Sequence, residues 1–137
     1  MFPACRFLTE ITIPEGVKSV GANAFLACSS LKTAILPDTL SYMGEYCFAH
    51  CSSMESITIP DGIEKIKTGI FEYCTSLSEV ILPDTVTEIG GVAFGQTIIQ
   101  TIKLPAGLTK LGSAAFNGSS LVSVQIPEGV KVCNNLF

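Results

Sequence analysis

Apolar and polar positions recur along this chain in a long, fixed pattern. Six copies run Phe-x-x-Cys-x-x-Leu-x-x-Ile-x-Ile-Pro-x-x-Val-x-x-Ile-Gly-x-x-Ala before Phe begins the next. Phe2, Phe25, Phe48, Phe71, Phe94 and Phe116 set the register with four spacings of 23 residues and one of 22. Pro14, Pro37, Pro60, Pro83, Pro105 and Pro127 keep step. A period in the twenties predicts a solenoid, because a coil that short cannot bury its apolar residues alone and must stack on its neighbours.

Within one copy, Leu77-Ser78-Glu79-Val80-Ile81-Leu82-Pro83 alternates inward Val80 and Leu82 with outward Glu79 and Ile81, the two-residue beat of a short strand. Proline ends it, since it has no N–H for a ladder, and Pro60-Asp61-Gly62 or Pro37-Asp38-Thr39 supplies a turn. A second inward pair follows, at Val17/Val20, Leu40/Met43, Ile63/Ile66, Val86/Ile89, Leu108/Leu111 and Val130/Cys133, either a second extended edge or a tight turn of helix. Gly21, Gly44, Gly90 and Gly112 come next, where a residue free to take positive φ turns the backbone toward the following coil. Lys67 replaces that glycine in the third coil, which predicts an altered corner there. The Ala-Phe junctions predict a continuous spine of stacked phenylalanines, and strand spacing of ~4.8 Å predicts one parallel sheet along a face. The fifth and sixth coils, at Phe94-Gly95-Gln96-Thr97-Ile98-Ile99 and Phe116-Asn117-Gly118-Ser119-Ser120-Leu121, each lose a residue between Phe and the strand, which should tighten one corner without shifting register.

The strings Phe71-Glu72-Tyr73-Cys74-Thr75-Ser76-Leu77 and Ile89-Gly90-Gly91-Val92-Ala93-Phe94, joined by a strand ending in Leu82-Pro83, closely resemble the BspA-like (Treponema-type) leucine-rich repeat, and the likeness covers essentially all 137 residues. The resemblance implies a leucine-rich-repeat solenoid, a right-handed superhelix of about six coils of 22 to 23 residues with a parallel β-sheet on its concave face and short strands or turns elsewhere. It further implies that the concave sheet faces a partner, and kinship with surface proteins of mucosal bacteria and some protozoa, often linked to adhesion. Residues 1–137 are expected to form a single such domain, a piece of a longer array. The pattern opens mid-copy at Met1-Phe2 and closes at Asn134-Asn135-Leu136-Phe137 with neither end capped, so end-to-end self-association is also expected.

Composition narrows the function. The chain is 47% hydrophobic, yet no apolar run approaches the ~20 residues of a membrane-spanning helix. Met1-Phe2-Pro3-Ala4-Cys5-Arg6 lacks the basic and apolar segments of a secretory signal, so any export signal would lie outside this sequence. Net charge is −4, and the eight Lys and Arg are thinly spread in sequence, leaving no basic stripe for a phosphate backbone and arguing against nucleic acid.

Six cysteines raise disulfides and zinc. Cys5, Cys28, Cys51 and Cys74 fall at one place in successive coils, forming a column whose parallel side chains suit neither the disulfide dihedral nor a zinc tetrahedron. A column of small buried hydrophobes is the preferred reading over a strained disulfide or an adventitious metal. Cys47 takes the Ala24/Ala93/Ala115 place and Cys133 the Val20/Ile89 place, both as core substitutions. Glu15, Asp38, Asp61, Asp84 and Glu128 align after the prolines; an exposed acidic turn explains them better than a calcium ladder, which needs six to eight oxygens per ion. His50, the lone histidine, has no Ser or Asp partner by spacing, and its neighbour Cys51 points elsewhere. No catalytic set, cofactor site or metal site emerges.

Two outward columns remain on the strands: Glu10, Thr33, Ser56, Glu79, Thr101, Ser123 and Thr12, Ile35, Thr58, Ile81, Lys103, Gln125. Ser and Thr suit an exposed sheet, whereas Ile35 and Ile81 project apolar surface from a wet face. The candidate binding residues are therefore Glu10, Thr12, Ile35, Thr58, Glu79, Ile81, Lys103 and Gln125. They point to a noncatalytic module, at a cell surface or secreted, that binds a host or extracellular-matrix protein. The alternative is an intracellular scaffold for protein–protein interaction, which unpaired cysteines would suit.

Overall fold

Val80 turns inward and Glu79 and Ile81 outward on a three-residue strand, and the same beat recurs coil after coil. The computed structural model describes residues 5–137, so Phe2 and the other residues of the N-terminal tetrapeptide lie outside the described residues. The chain is a β-solenoid of about five turns with parallel pairing and no helix among the described residues. Three-residue strands β1 (Glu10–Thr12), β3 (Thr33–Ile35), β5 (Ser56–Thr58) and β7 (Glu79–Ile81) form one face. Two-residue strands β2 (Ser19–Val20), β4 (Tyr42–Met43), β6 (Lys65–Ile66), β8 (Glu88–Ile89), β9 (Lys110–Leu111) and β10 (Lys131–Val132) form another. The second apolar pair is thus an extended edge, with Leu40, Met43, Ile63, Ile66, Val86, Ile89, Leu108 and Leu111 all buried.

A third ladder runs along the phenylalanine corner. Each Phe N–H donates to the next coil: Phe25 to the Cys47 carbonyl (2.8 Å), Phe48 to Ile70 (3.1 Å), Phe71 to Ala93 (2.9 Å), Phe94 to Ala115 (2.8 Å) and Phe116 to Leu136 (3.0 Å). The rings stack as expected, with centroids 5.2 to 6.0 Å apart from Phe25 through Phe116. Phe137 extends the spine beyond the register phenylalanines, 6.4 Å from Phe116.

Three expectations need correction. First, Gly21, Gly44, Gly90 and Gly112 do not take positive φ; the left-handed residues flank each phenylalanine instead, as at Asn23 and Ala27, Tyr46 and His50, Gly69 and Tyr73, and Val92 and Gln96. Gly44, Gly90 and Gly112 serve close approach: a Cβ on them would lie 2.3 Å from Ala22 N, 2.5 Å from Thr68 N and 2.3 Å from Gly91 N, backbone atoms of the preceding coil. Second, the concave strands do not form one sheet. β1 pairs with β3 and β5 with β7, but β3 and β5 are not joined, and residues 101–103 and 123–125 carry no strand. The in-out beat survives in the short fifth coil, with Ile99 and Leu104 buried and Gln100, Thr101 and Lys103 exposed. The shortened corner leaves that segment off any strand, held to its neighbours by single hydrogen bonds from Ile98 N–H to the Leu77 carbonyl (3.0 Å) and from Val122 N–H to the Gln100 carbonyl (3.0 Å). Third, the last coil slips by one: Lys131 pairs with Lys110 and Val132 with Leu111, so Val132, not Cys133, takes the strand position, and it stays 43% exposed. Val130-Lys131-Val132 is one residue shorter than Leu108-Thr109-Lys110-Leu111, which produces the slip.

The expected anomaly in the third coil appears, from a different cause. On the second face β2 pairs with β4, and β6, β8, β9 and β10 form a separate sheet, so the ladder breaks between Met43 and Ile66. Lys67 carries a Cβ where its counterparts press a bare Cα onto the coil below. The third coil is thus unpaired with the second at both strand faces, while the phenylalanine corner stays bonded and the turn backbone stays close, a Cβ on Gly62 lying 2.3 Å from the Leu40 carbonyl oxygen.

Candidate functional site

Four of the eight candidate residues stand in one column on the concave face, paired as Thr12 with Ile35 and Thr58 with Ile81. Ile35 is 56% exposed and Ile81 51%, although their strand neighbours Ala34 and Val80 are buried. Glu10 and Glu79 lie in the adjacent outward column, in register with Thr33 and Ser56. Lys103 and Gln125 are exposed at the matching coil positions but off any strand, so the structure brings six of the eight onto paired strands and leaves two beside them. Where β3 and β5 part, a shallow groove of about 300 Å³ opens between Thr33, Ile35 and Leu36 on one side and Ser56, Thr58 and Pro60 on the other.

The cysteine column is a core element. All six thiols are free, and Cys28, Cys47, Cys51 and Cys74 are fully buried. The Cys51 thiol donates to the Phe25 carbonyl (3.2 Å) and the Cys74 thiol to the Phe48 carbonyl (3.1 Å), tying each coil to the one before. Thr97 takes that place in the fifth coil and its hydroxyl donates to the Phe94 carbonyl (2.9 Å). Burial pushes the thiols of Cys47 and Cys74 up to about 12, with the neighbouring Cys28 adding to the rise at Cys47. Cys51 is raised further by burial and by the flanking Cys74 and Cys28. Thiols held protonated in this way are poor nucleophiles and poor metal ligands.

His50 stacks on Tyr73 with centroids 4.7 Å apart and planes 10° from parallel, an exposed pair two residues beyond the spine phenylalanines Phe48 and Phe71. The acidic turn column is exposed, and the Asp38 N–H donates to the Glu15 carboxylate (3.4 Å). Among the described residues no three His, Cys, Asp or Glu converge as metal ligands.

One feature escaped the sequence reading. Lysines thinly spread along the chain are gathered in space: Lys18, Lys65, Lys67, Lys110 and Lys131 lie on or beside the second-face strands with Glu45, Glu64 and Glu88 among them. Five lysines against three glutamates give that face +2, so the rest of the chain carries −6 of the total −4. The signal was in the phase of the repeat, since Lys65, Glu88 and Lys110 each precede the second inward residue of their coil.

The model of the BspA-type leucine-rich repeat region matches in six copies over residues 1–122. The chain belongs to this family. A leucine-rich repeat protein of Bacteroides ovatus is 32% identical with a TM-score of 0.85, over 90% of this chain and 33% of that one. The Treponema pallidum leucine-rich repeat protein is 31% identical with a TM-score of 0.82, over 90% of this chain and 61% of that one. A leucine-rich cell surface protein of Faecalibacterium prausnitzii is 31% identical with a TM-score of 0.64, over 88% of this chain and 40% of that one. The BspA-type chain thus spans between one third and about three fifths of the length of these relatives. No curated protein is significantly similar to it. Leucine-rich-repeat folds generally serve protein–protein recognition without catalysis, and no helix here is long and apolar enough to cross a membrane among the described residues.

Proposed function

We propose that this chain is a noncatalytic recognition module displayed at a cell surface, which adheres to a host or extracellular-matrix protein through its concave face. The observation that carries the reading is the pair Ile35 and Ile81, each about half exposed on an otherwise polar strand column, with Thr58 and the groove between them. Isoleucines spaced along a rigid sheet make anchors that a partner can desolvate, ringed by Thr and Ser that lose little on binding. The cell-surface setting draws support from the Faecalibacterium relative, itself described as a cell surface protein. Free thiols do not favour an intracellular scaffold, because four of the six are buried and shielded from oxidants.

The test is adhesion of beads coated with the purified chain to epithelial cells and to immobilised matrix proteins. The double variant Ile35→Ser/Ile81→Ser should keep its circular dichroism and melting temperature, since both side chains are half in water already. Each lost anchor removes about 1 to 2 kcal/mol, so retention should fall at least tenfold. Unchanged adhesion by a folded double variant would overturn the assignment of the concave face.

A further inference from the structure

Along the second face the outward rung reads Lys65, Glu88, Lys110, Lys131, with each neighbour in strand register. Glu88 is committed to Lys65, 3.4 Å from its Nζ, the one ion pair among the described residues. Lys110 and Lys131 are consequently left side by side on adjacent strands, about 4.8 Å apart along the sheet, with no acid between them. Lys67 extends the row at the coil corner, its ammonium 5.5 Å from the Tyr42 ring centroid, and Lys18 continues it on the far side of the seam. A groove of about 440 Å³ runs along the row from Lys65 to Lys110, bounded by Lys65, Lys67, Lys110, Glu88, Glu45 and Ser113, with Lys131 outside its lining on the next strand. The row is narrow. On the side where the chain enters the second strands stand the exposed acids Glu15, Asp38, Asp61, Asp84 and Glu128.

We propose that this row is a second binding surface, distinct from the concave face, for a linear anionic polysaccharide. Like charges held in register on a rigid sheet repel, and a chain with anions repeated along its length relieves several at once while releasing its own counterions. The acidic flanks restrict the ligand to a single thin strand, because a broad duplex lying over the row would also cover the carboxylates of the turn column. A nucleic acid single strand fits the width less well in chemistry: it gains most from bases stacked on free aromatic faces, and the one aromatic ring on this face, Tyr42, is taken up by Lys67. A glycan needs only the spaced cations that Lys110 and Lys131 present.

Fluorescently labelled heparin oligosaccharide, a carboxylate-only polyuronate and a single-stranded oligonucleotide of equal charge test this by anisotropy with the full chain across a salt series. Binding to either glycan at 0.15 M salt is expected, the two arms telling sulfate from carboxylate. Lys110→Gln/Lys131→Gln should weaken it at least tenfold and lower the slope of log affinity against log salt by about two, one per lost contact. Arg6→Gln/Lys32→Gln, which removes the same charge from outside the row, should change affinity less than threefold. Absence of glycan binding, an equal loss in both double variants, or tighter binding of the oligonucleotide than of both glycans would each overturn the proposal.

Discussion

Gly90→Ala tests how the coils are held together. An alanine Cβ there would sit 2.5 Å from Thr68 N and 2.8 Å from the Lys67 carbonyl carbon, against rigid backbone and not the end of a pliant side chain. Restoring ordinary contact requires the fourth coil to rise from the third by about 1 Å. The bonds from Gly90 N–H to the Ile66 carbonyl (2.7 Å) and from Thr87 N–H to the Glu64 carbonyl (2.8 Å) then stretch beyond hydrogen-bond range. Two ladder bonds are worth about 1 kcal/mol each, and the loosened contact between Ile66 and Ile89 adds about another. The lower unfolded-state entropy of alanine returns about 0.5 kcal/mol. The net loss is about 2 to 3 kcal/mol, a fall of about 6 to 10 °C in melting temperature for a chain of this length. The reverse change, Lys67→Gly, removes the Cβ that stands where the first, second, fourth and fifth coils carry glycine. It should let β6 pair with β4 and slow amide exchange across Met43 to Lys67. Thermal melts and amide hydrogen exchange check both. A Gly90→Ala protein as stable as the parent, with the Gly90 amide still protected, would refute close approach as the role of these glycines.

Two further outcomes are expected. Phe71→Ala, removing a fully buried ring stacked between Phe48 and Phe94, should destabilise by about 3 to 5 kcal/mol in urea titration; less than 1 kcal/mol would mean the spine closes over the gap. The buried thiols predict alkaline sensitivity: below pH 9 they are protonated folded and unfolded alike, but above it the unfolded chain releases protons that Cys47, Cys51 and Cys74 retain, so stability falls between about pH 9 and 12. At pH 10 the three together account for about 4 kcal/mol, and Cys74→Ala should flatten the urea-midpoint profile by about one third; an unchanged profile would contradict the stated cause.

Inward columns were legible because each must be apolar in every coil, so Phe71, Leu77, Val80 and Ile89 announce themselves by repetition. The glycines were misread for a physical reason. Positive φ and a backbone passing within contact distance both demand the absence of Cβ, and one sequence cannot tell the two apart. The true left-handed positions carry Asn23, Gly69, Gly118 and Asn135, which favour that conformation, but also Ala27, Tyr46, His50, Val92 and Gln96, which do not. Coil-to-coil bonds impose it, such as Tyr46 N–H to the Thr68 carbonyl (3.0 Å) and His50 N–H to Glu72 (2.8 Å), and such bonds have no signature in composition. Ile35 and Ile81 were visible as exceptions to a polar column. The lysine row was not, since Lys65, Lys110 and Lys131 are distant in the chain and meet only once the period is folded.

Lys67 connects these observations. It stands at the level where the ladder between the second and third coils breaks, and β3 and β5 are likewise unpaired on the concave face, where the groove beside Ile35 and Thr58 opens. Its ammonium, laid over Tyr42, bridges the gap on the other face and joins the basic row. The phenylalanine ladder continues unbroken at this level through Phe25 N–H and the Cys47 carbonyl (2.8 Å), so the two coils are bonded at that corner and unpaired at both strand faces. Both faces therefore change at the same height along the solenoid. Ile35 and Ile81 are two coil steps apart, about 10 Å, and the row from Lys65 to Lys131 spans three, about 14 Å. They occupy overlapping coils but separate sides of the core, so a protein on the concave strands and an anionic chain on the second face can be held at the same time without sharing a side chain.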